Sequence, residues 1–337
     1  MIVPILLFAL GLVLLINGGD WFVDGSCGVA RRFHLPEVLI GATVVSIGTT
    51  IPEVMVSSIA AAEGMSATAY GNAIGSIICN TALVAAITMA VRPQPCESKS
   101  LRLPAIFFFI AAVFYSGVAI FTGHFSRVTG IILLCGFIVY ISINVKKAIS
   151  TAKNSSFAEQ EKEAEVSETE ETEVKQKKLK DSLFMDIAKL IVGAAVIAIG
   201  ANLLVNNGTE IARMIGVPET VIALTFVALG TSLPELVTAI TALTKGHSDL
   251  SLGNIIGANL FNLVFVSGMA VTIRPFDIPA EKTIMGMNAS MVIDIPLMFI
   301  VMLIMTIPAL KKGKIYRAQG ITLLAIYVAY VIFQFFI

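Results

Sequence analysis

The chain has 337 residues, of which 56% are hydrophobic and only 14% charged; its mean hydropathy is +0.88 and its formal net charge is zero. Soluble domains carry about a quarter charged residues, so these values exclude that class and leave an integral membrane protein. With neither net positive charge nor a basic stripe, a nucleic-acid partner has no support.

The first apolar run, 2–28, lacks a basic leader and a small-residue cleavage site, and reads as a span, not a removed signal peptide. Four more follow at 38–62, 67–90, 103–122 and 127–147, each near the roughly 20 residues that cross a bilayer as a helix. The polar stretch 148–183 holds eight glutamates between Glu159 and Glu173, then Lys175, Lys177, Lys178 and Lys180. Without apolar periodicity it cannot bury a core and is expected to be a solvated, partly disordered linker. Five further spans are expected at 184–211, 219–244, 249–272, 284–307 and 316–336. The expected fold is all-α and polytopic: ten transmembrane helices in two five-helix halves, 1–147 and 184–337, joined by the acidic linker.

Basic residues concentrate on the cytoplasmic side of membrane proteins. With the N-terminus outside, the connections after the first, third, fifth, seventh and ninth spans carry 19 of the 23 lysines and arginines. That bias places both termini outside and the linker in the cytoplasm, and the cell membrane is the expected location. The four cysteines, Cys27, Cys79, Cys96 and Cys135, show no paired or metal-like spacing and are expected to be free thiols. His34, His124 and His247 are scattered near loops and are not read as ligands.

Shifting the sequence by 182 residues superposes 34–80 on 216–262 without a gap, with 17 of 47 positions identical. The matches include Pro36/Pro218, Glu37/Glu219, Gly48/Gly230, Thr49/Thr231, Pro52/Pro234, Glu53/Glu235, Gly71/Gly253, Asn72/Asn254, Gly75/Gly257 and Asn80/Asn262. Shared apolar composition does not put glycine, proline, asparagine and glutamate in fixed register. Five spans separate the copies, an odd number, so the second copy is expected to be inverted. Inverted repeats build a binding site near the midplane.

The motif cores read S46-I-G-T-T-I-P-E53 and A228-L-G-T-S-L-P-E235. Proline cannot donate a backbone hydrogen bond, so Pro52 and Pro234 free the carbonyls of Gly48 and Gly230. Freed backbone at membrane depth is tolerated where it lines a cavity or binds something. Thr49 and Thr50 share a helix face with Glu53, as Thr231 and Ser232 do with Glu235. Carboxylate, hydroxyl and carbonyl are hard oxygen ligands suited to Ca2+ and Na+, and no Cys/His cluster offers itself to zinc or copper. The next helices carry the stripe Asn72, Ser76, Asn80 and its counterpart Asn254, Ala258, Asn262. Asn80 and Asn262 are expected to face the glutamates, with Asn72 and Asn254 as packing residues. Gly71/Gly75 and Gly253/Gly257 permit close helix approach.

These G-T-[ST]-x-P-E and G-N-x-x-G-[SA] motifs resemble the two α-repeats of the Na+/Ca2+ exchanger family, within the cation/Ca2+ antiporter superfamily. The resemblance implies four cation sites between the repeats. It implies Ca2+ held by the Glu53 and Glu235 carboxylates and the carbonyls of Thr49 and Thr231. One Na+ site would use Thr50, Glu53, Ser76 and the carbonyl of Ser46; the other, Ser232, Glu235 and the carbonyl of Ala228. Asn80 and Asn262 would border the centre. The chain departs from the family at Ala258, where serine is frequent, and at Asn262, which replaces the aspartate of K+-dependent members. The linker, about 36 residues, is too short for a folded calcium-sensing domain, as in the compact prokaryotic form.

The expected function is therefore antiport of Ca2+ against Na+ by alternating access, with the first and sixth spans sliding past the site. Asp20, Asp24 and Glu210 stand near the ends of those spans, where they could attract cations; Asp294 has no assigned role. A H+/Ca2+ antiporter using the same two glutamates is the alternative. A cation channel fits less well, since one chain holds both halves. No HExxH, nucleophile–base pair or phosphate loop argues for an enzyme. No cofactor or obligate protein partner is expected beyond the transported ions and the bilayer.

Overall fold

A computed structural model describes residues 2–93, 95–163, 171–216, 230–280, 283–284 and 286–336, with the side chains of 152–182 and 335–336 left aside. The chain is helical almost throughout. We label the main helices α1 (Ile2–Arg32), α2 (Glu37–Glu63), α3 (Ser66–Val91), α4 (Ser98–Thr122), α5 (Arg127–Glu163), α6 (Glu171–Met214), α7 (Leu233–Thr244), α8 (Ser248–Ile273), α9 (Ser290–Lys312) and α10 (Arg317–Phe336). Among the described residues, nine of these are long and apolar enough to cross a membrane, and α7 is a shorter apolar helix. The first half of the expected seventh span, 217–229, lies outside the described residues.

The linker, expected to be solvated and partly disordered, is helical where it is described: α5 runs on to Glu163 and α6 begins at Glu171, while 164–170 lie outside the described residues. Alanine, glutamate, glutamine and lysine are strong helix formers, and extending an existing helix avoids the cost of a new nucleus. The ninth span was expected from 284, but Thr283–Ile284 (β1) pairs with Met287–Asn288 (β2) in a small hairpin. Gly286, at φ 78°, makes that reversal, and helix resumes only at Ser290.

Helices α1 and α6 meet backbone to backbone through glycines. A Cβ on Gly11 would stand 2.9 Å from the Gly200 carbonyl oxygen, and one on Gly25 only 2.5 Å from that of Asp186. Small residues of this kind allow the close helix approach that membranes favour. At the end of this seam, Arg32 Nε and Asp186 Oδ2 form a 2.7 Å ion pair. Helix α8 threads the centre of the molecule and packs just as tightly on the start of α2. An added Cβ on Gly253 would collide with the Val38 carbonyl, and one on Gly257 with Ser46 Oγ and, at 2.6 Å, with the Ala42 Cα. The small-residue face read from Gly253 and Gly257 is therefore a contact between the two motif copies.

Candidate cation-binding site

The two motif cores sit on α2 and α7 and fold differently. Helix α2 is continuous through Pro52, preceded by a π-helical turn at Gly41–Val45. In the second copy Thr231 and Ser232 form a turn, and α7 starts at Leu233 with Pro234 in its first turn. Proline is accommodated there because the first-turn amides need no intrahelical partner. The expectation of a mid-helix motif thus holds for the first copy; in the second, the described residues show a turn at Thr231 and Ser232 between helical Gly230 and α7, and 217–229 lie outside the described residues.

Pro52 and Pro234 line one small cavity of about 10 Å3, together with Gly48 and Thr49. Phe22 of α1 and Ala194, Ile197 and Ala198 of α6 complete its walls. The two cores therefore meet under the α1–α6 pair.

Glu53 and Glu235 are both 0% exposed, and Glu235 is close enough for its charge to oppose that of Glu53. None of their four carboxyl oxygens has a hydrogen-bond partner among the described residues. The same is true of Thr50 Oγ1, Ser232 Oγ and both side-chain amide atoms of Asn80 and Asn262. Buried polar groups without partners are rare in folded proteins, and each asks for an explanation. Here they come from matching positions of both copies.

Several neighbouring polar groups are hydrogen-bonded and hold the frame, although Asn254 Nδ2 has no partner among the described residues. Ser46 Oγ lies 2.7 Å from the Gly41 carbonyl and 3.0 Å from that of Asn254. Thr49 Oγ1 donates to Asn254 Oδ1 at 3.3 Å and stands beside the Glu235 carboxyl. Asn72 Nδ2 donates to the Glu53 carbonyl at 3.1 Å and to Ser57 Oγ at 2.8 Å. Asn72 and Asn254 are thus the framework residues the sequence suggests. Ser76 and Ala258 are buried and Thr231 is half-buried. Ala228 lies outside the described residues.

Three features were not read from the sequence. Helices α3 and α8 each contain a π-helical turn, Asn80–Ala85 and Asn262–Val266, starting at equivalent positions 182 residues apart. Such turns frequently mark functional sites, and these start at the two asparagines without partners. Asn259 donates to Thr81 Oγ1 at 2.7 Å. Cys79 lies beside Ser232 and within electrostatic range of both glutamates. Among the residues expected at the portals, Asp20 and Asp24 are ion-paired with Lys245 at 3.1 and 2.7 Å. Although partial burial of Lys245 works the other way, these two carboxylates hold its ammonium above the usual range. Asp294 accepts a hydrogen bond from Tyr330 at 3.1 Å.

Together the two copies offer buried carboxyl, hydroxyl and amide oxygens, a donor set for hard cations. Comparison with known proteins agrees. The family model described as Sodium/calcium exchanger protein matches residues 3–146 and 186–336. An uncharacterized membrane protein of Methanocaldococcus jannaschii is 33% identical over 321 residues, 95% of this chain and 94% of that one. The sodium/calcium exchanger MaX1 of Methanosarcina acetivorans is 28% identical, with 99% of each chain covered. A structure of the sodium-calcium exchanger NCX_Mj, soaked with Na+ and Ca2+, superposes with a TM-score of 0.77 at 30% identity, covering 98% of both chains. This chain, a multi-span membrane protein, belongs to the sodium/calcium exchanger family.

Proposed function

We propose that the chain is a secondary antiporter that exchanges Ca2+ for Na+ at a site built from both repeats. The observation that carries this reading is the pair Glu53 and Glu235, fully buried, adjacent in charge and without hydrogen-bond partners. Membership of the exchanger family supplies the substrates. Ca2+ sits between the two carboxylates, aided by the carbonyls of Thr49 and Thr231. One Na+ site takes Thr50, Glu53, Ser76 and the Ser46 carbonyl. The other takes Ser232, Glu235 and the Ala228 carbonyl, and Asn80 and Asn262 border the centre.

Obligatory exchange follows from charge. An empty site carries two buried negative charges, whose passage through a low-dielectric core is costly. One Ca2+ or two Na+ neutralises them, so the carrier moves loaded. The α1–α6 pair slides over the cores to alternate access, with its glycine seam keeping it a unit. Ten spans in two inverted halves, 1–147 and 184–337, put both termini outside, the acidic linker 148–183 in the cytoplasm and the protein in the cell membrane.

The test is Ca2+ flux in sealed vesicles with a sodium gradient imposed or removed at constant pH. Wild type should carry Ca2+ only against sodium. Glu53→Gln and Glu235→Gln should each lose transport while remaining folded in the membrane. Near-normal flux in either variant would refute the two-carboxylate site, and flux that follows pH and ignores sodium would make the protein a H+/Ca2+ antiporter.

A further inference from the structure

Cys27, Glu37 and His247 are far apart in sequence, and neither the cysteine nor the histidine has ligand-like spacing. In the fold they converge where α1 ends, α2 begins and the α7–α8 loop turns. One ligand atom from each, a thiol sulfur, a carboxylate oxygen and an imidazole nitrogen, lies within 4.8 Å of the other two. His247 Nδ1 and Glu37 Oε1 are already 2.8 Å apart. Cys27 is 1% exposed, whereas the side chains of Glu37 and His247 are 30% and 27% exposed, so the cluster has a buried floor and an open rim. A Glu37–His247 pair alone is ordinary surface electrostatics. A thiol within reach of both makes a three-ligand set of sulfur, nitrogen and oxygen.

We propose that Cys27, Glu37 and His247 bind a borderline transition-metal dication of the Zn2+ class, with water as fourth ligand, and that the bound ion clamps α1 to the motif helices. Zinc sites with three protein ligands and one water are a standard arrangement. Bond lengths of about 2.0–2.3 Å imply ligand–ligand edges of about 3.3–3.8 Å in a tetrahedron. The three groups therefore need to close by only about 1 Å at the widest pair. Thiolate and imidazole select this class over the transported Ca2+ and Na+, which are hard and prefer oxygen. On binding, the Cys27 S–H bond gives way to S–metal and the proton leaves to solvent. Thiolate, carboxylate and dication then sum to zero charge, which suits a partly buried place. The nearby cations are occupied: Lys245 is held by Asp20 and Asp24, and Arg31 Nε donates to the Cys27 carbonyl at 3.3 Å. Asp249, across from Glu37, adds attraction for a cation.

The consequence for transport rests on the alternating-access reading above. Cys27 belongs to the sliding α1, and Glu37 and His247 belong to the helices it slides past. An ion shared among them ties the moving part to the fixed one on the cytoplasmic side, so that Zn2+ there inhibits exchange without entering the transport site.

Binding is tested without transport. Purified full-length protein, with Ca2+ in excess to fill the transport site, is titrated with Cd2+ while the ultraviolet thiolate-to-metal charge-transfer band is followed. A difference band between wild type and Cys27→Ser, saturating at one Cd2+ per chain, is expected. His247→Ala, a rim change that leaves the buried floor intact, should weaken binding by about tenfold or more. Identical titrations of wild type and Cys27→Ser would overturn the site. In vesicles, cytoplasmic Zn2+ should inhibit wild type and spare His247→Ala. Equal inhibition of both, or none in a wild type that binds Cd2+, would overturn the clamp. Absence of sodium-driven Ca2+ flux altogether would instead strike the proposed function and leave the binding result standing.

Discussion

Ala258→Ser restores the one hydroxyl by which the second repeat differs from Ser76 in the first. The new hydroxyl could be drained into the carbonyl four residues earlier, the usual fate of serine in a helix. Here that carbonyl belongs to Asn254, and it already accepts Ser46 Oγ at 3.0 Å in addition to its place in the helix ladder. Even where it donates, a hydroxyl gives only its proton and keeps its oxygen lone pairs, so the serine oxygen stays available to an ion beside Ser232, whose own hydroxyl lacks a partner among the described residues. Making one buried polar contact that was unmade is worth about 1–3 kcal/mol, or roughly five- to 150-fold for one Na+. When two or three sodium ions bind together, half-saturation moves by the square or cube root of that factor, so about two- to twelvefold. The assay is Ca2+ flux against sodium concentration at fixed pH and voltage. Ala258→Ser should reach half-maximal rate at correspondingly lower sodium, with Ca2+ affinity nearly unchanged. A sodium curve that does not move refutes the reasoning, because position 258 then does not face the site.

The seam between α1 and α6 gives a steric prediction. A Cβ at Gly25 would stand 2.5 Å from the Asp186 carbonyl oxygen and 2.6 Å from the Leu190 amide nitrogen, so Gly25→Val must push the two backbones apart. Overpacking of this kind costs typically about 1–3 kcal/mol; a lowered Tm and a slowed Ca2+ flux are expected, and wild-type values for both would show that the seam is not rigid. Deleting 156–175 should leave sodium-driven exchange intact, since no motif residue lies there. Complete loss of flux in a correctly inserted deletion variant would make the linker part of the transport machinery.

Much of the site was legible because its information is local and repeated. Fixed spacing carries Glu53, Pro52, Thr49 and Thr50 into one helix, and 182 residues on it carries Pro234 and Glu235 into the first turn of another, with Thr231 and Ser232 in the turn before it. What the sequence concealed is of two kinds. The π-helical turns at Asn80 and Asn262 depend on how neighbouring helices pack, and no residue type encodes them. The Cys27–Glu37–His247 cluster joins three elements, so it has no spacing to read, and thiols and imidazoles scattered along the chain look unrelated until the fold brings them together.

The two copies match in sequence but not in form, and this bears on how such a carrier works. Proline is absorbed inside α2 in the first copy and begins α7 in the second. A sequence that tolerates proline within a helix in one half has the residues to do so in the other, because the cores differ mainly at Ser46/Ala228 and Thr50/Ser232. One of those differences bears on the frame: Ser46 is held by Gly41 and Asn254, while Ala228 has no hydroxyl with which to make the equivalent bonds. In the mechanism proposed above, two related segments, unlike in form over the described residues, flank a shared site and supply an element with two discrete arrangements. That is the physical requirement for a switch between two facing states. On that proposal a cation bridging Glu53 and Glu235 would act on both segments at once, so its arrival and departure would be coupled to their geometry without any further device.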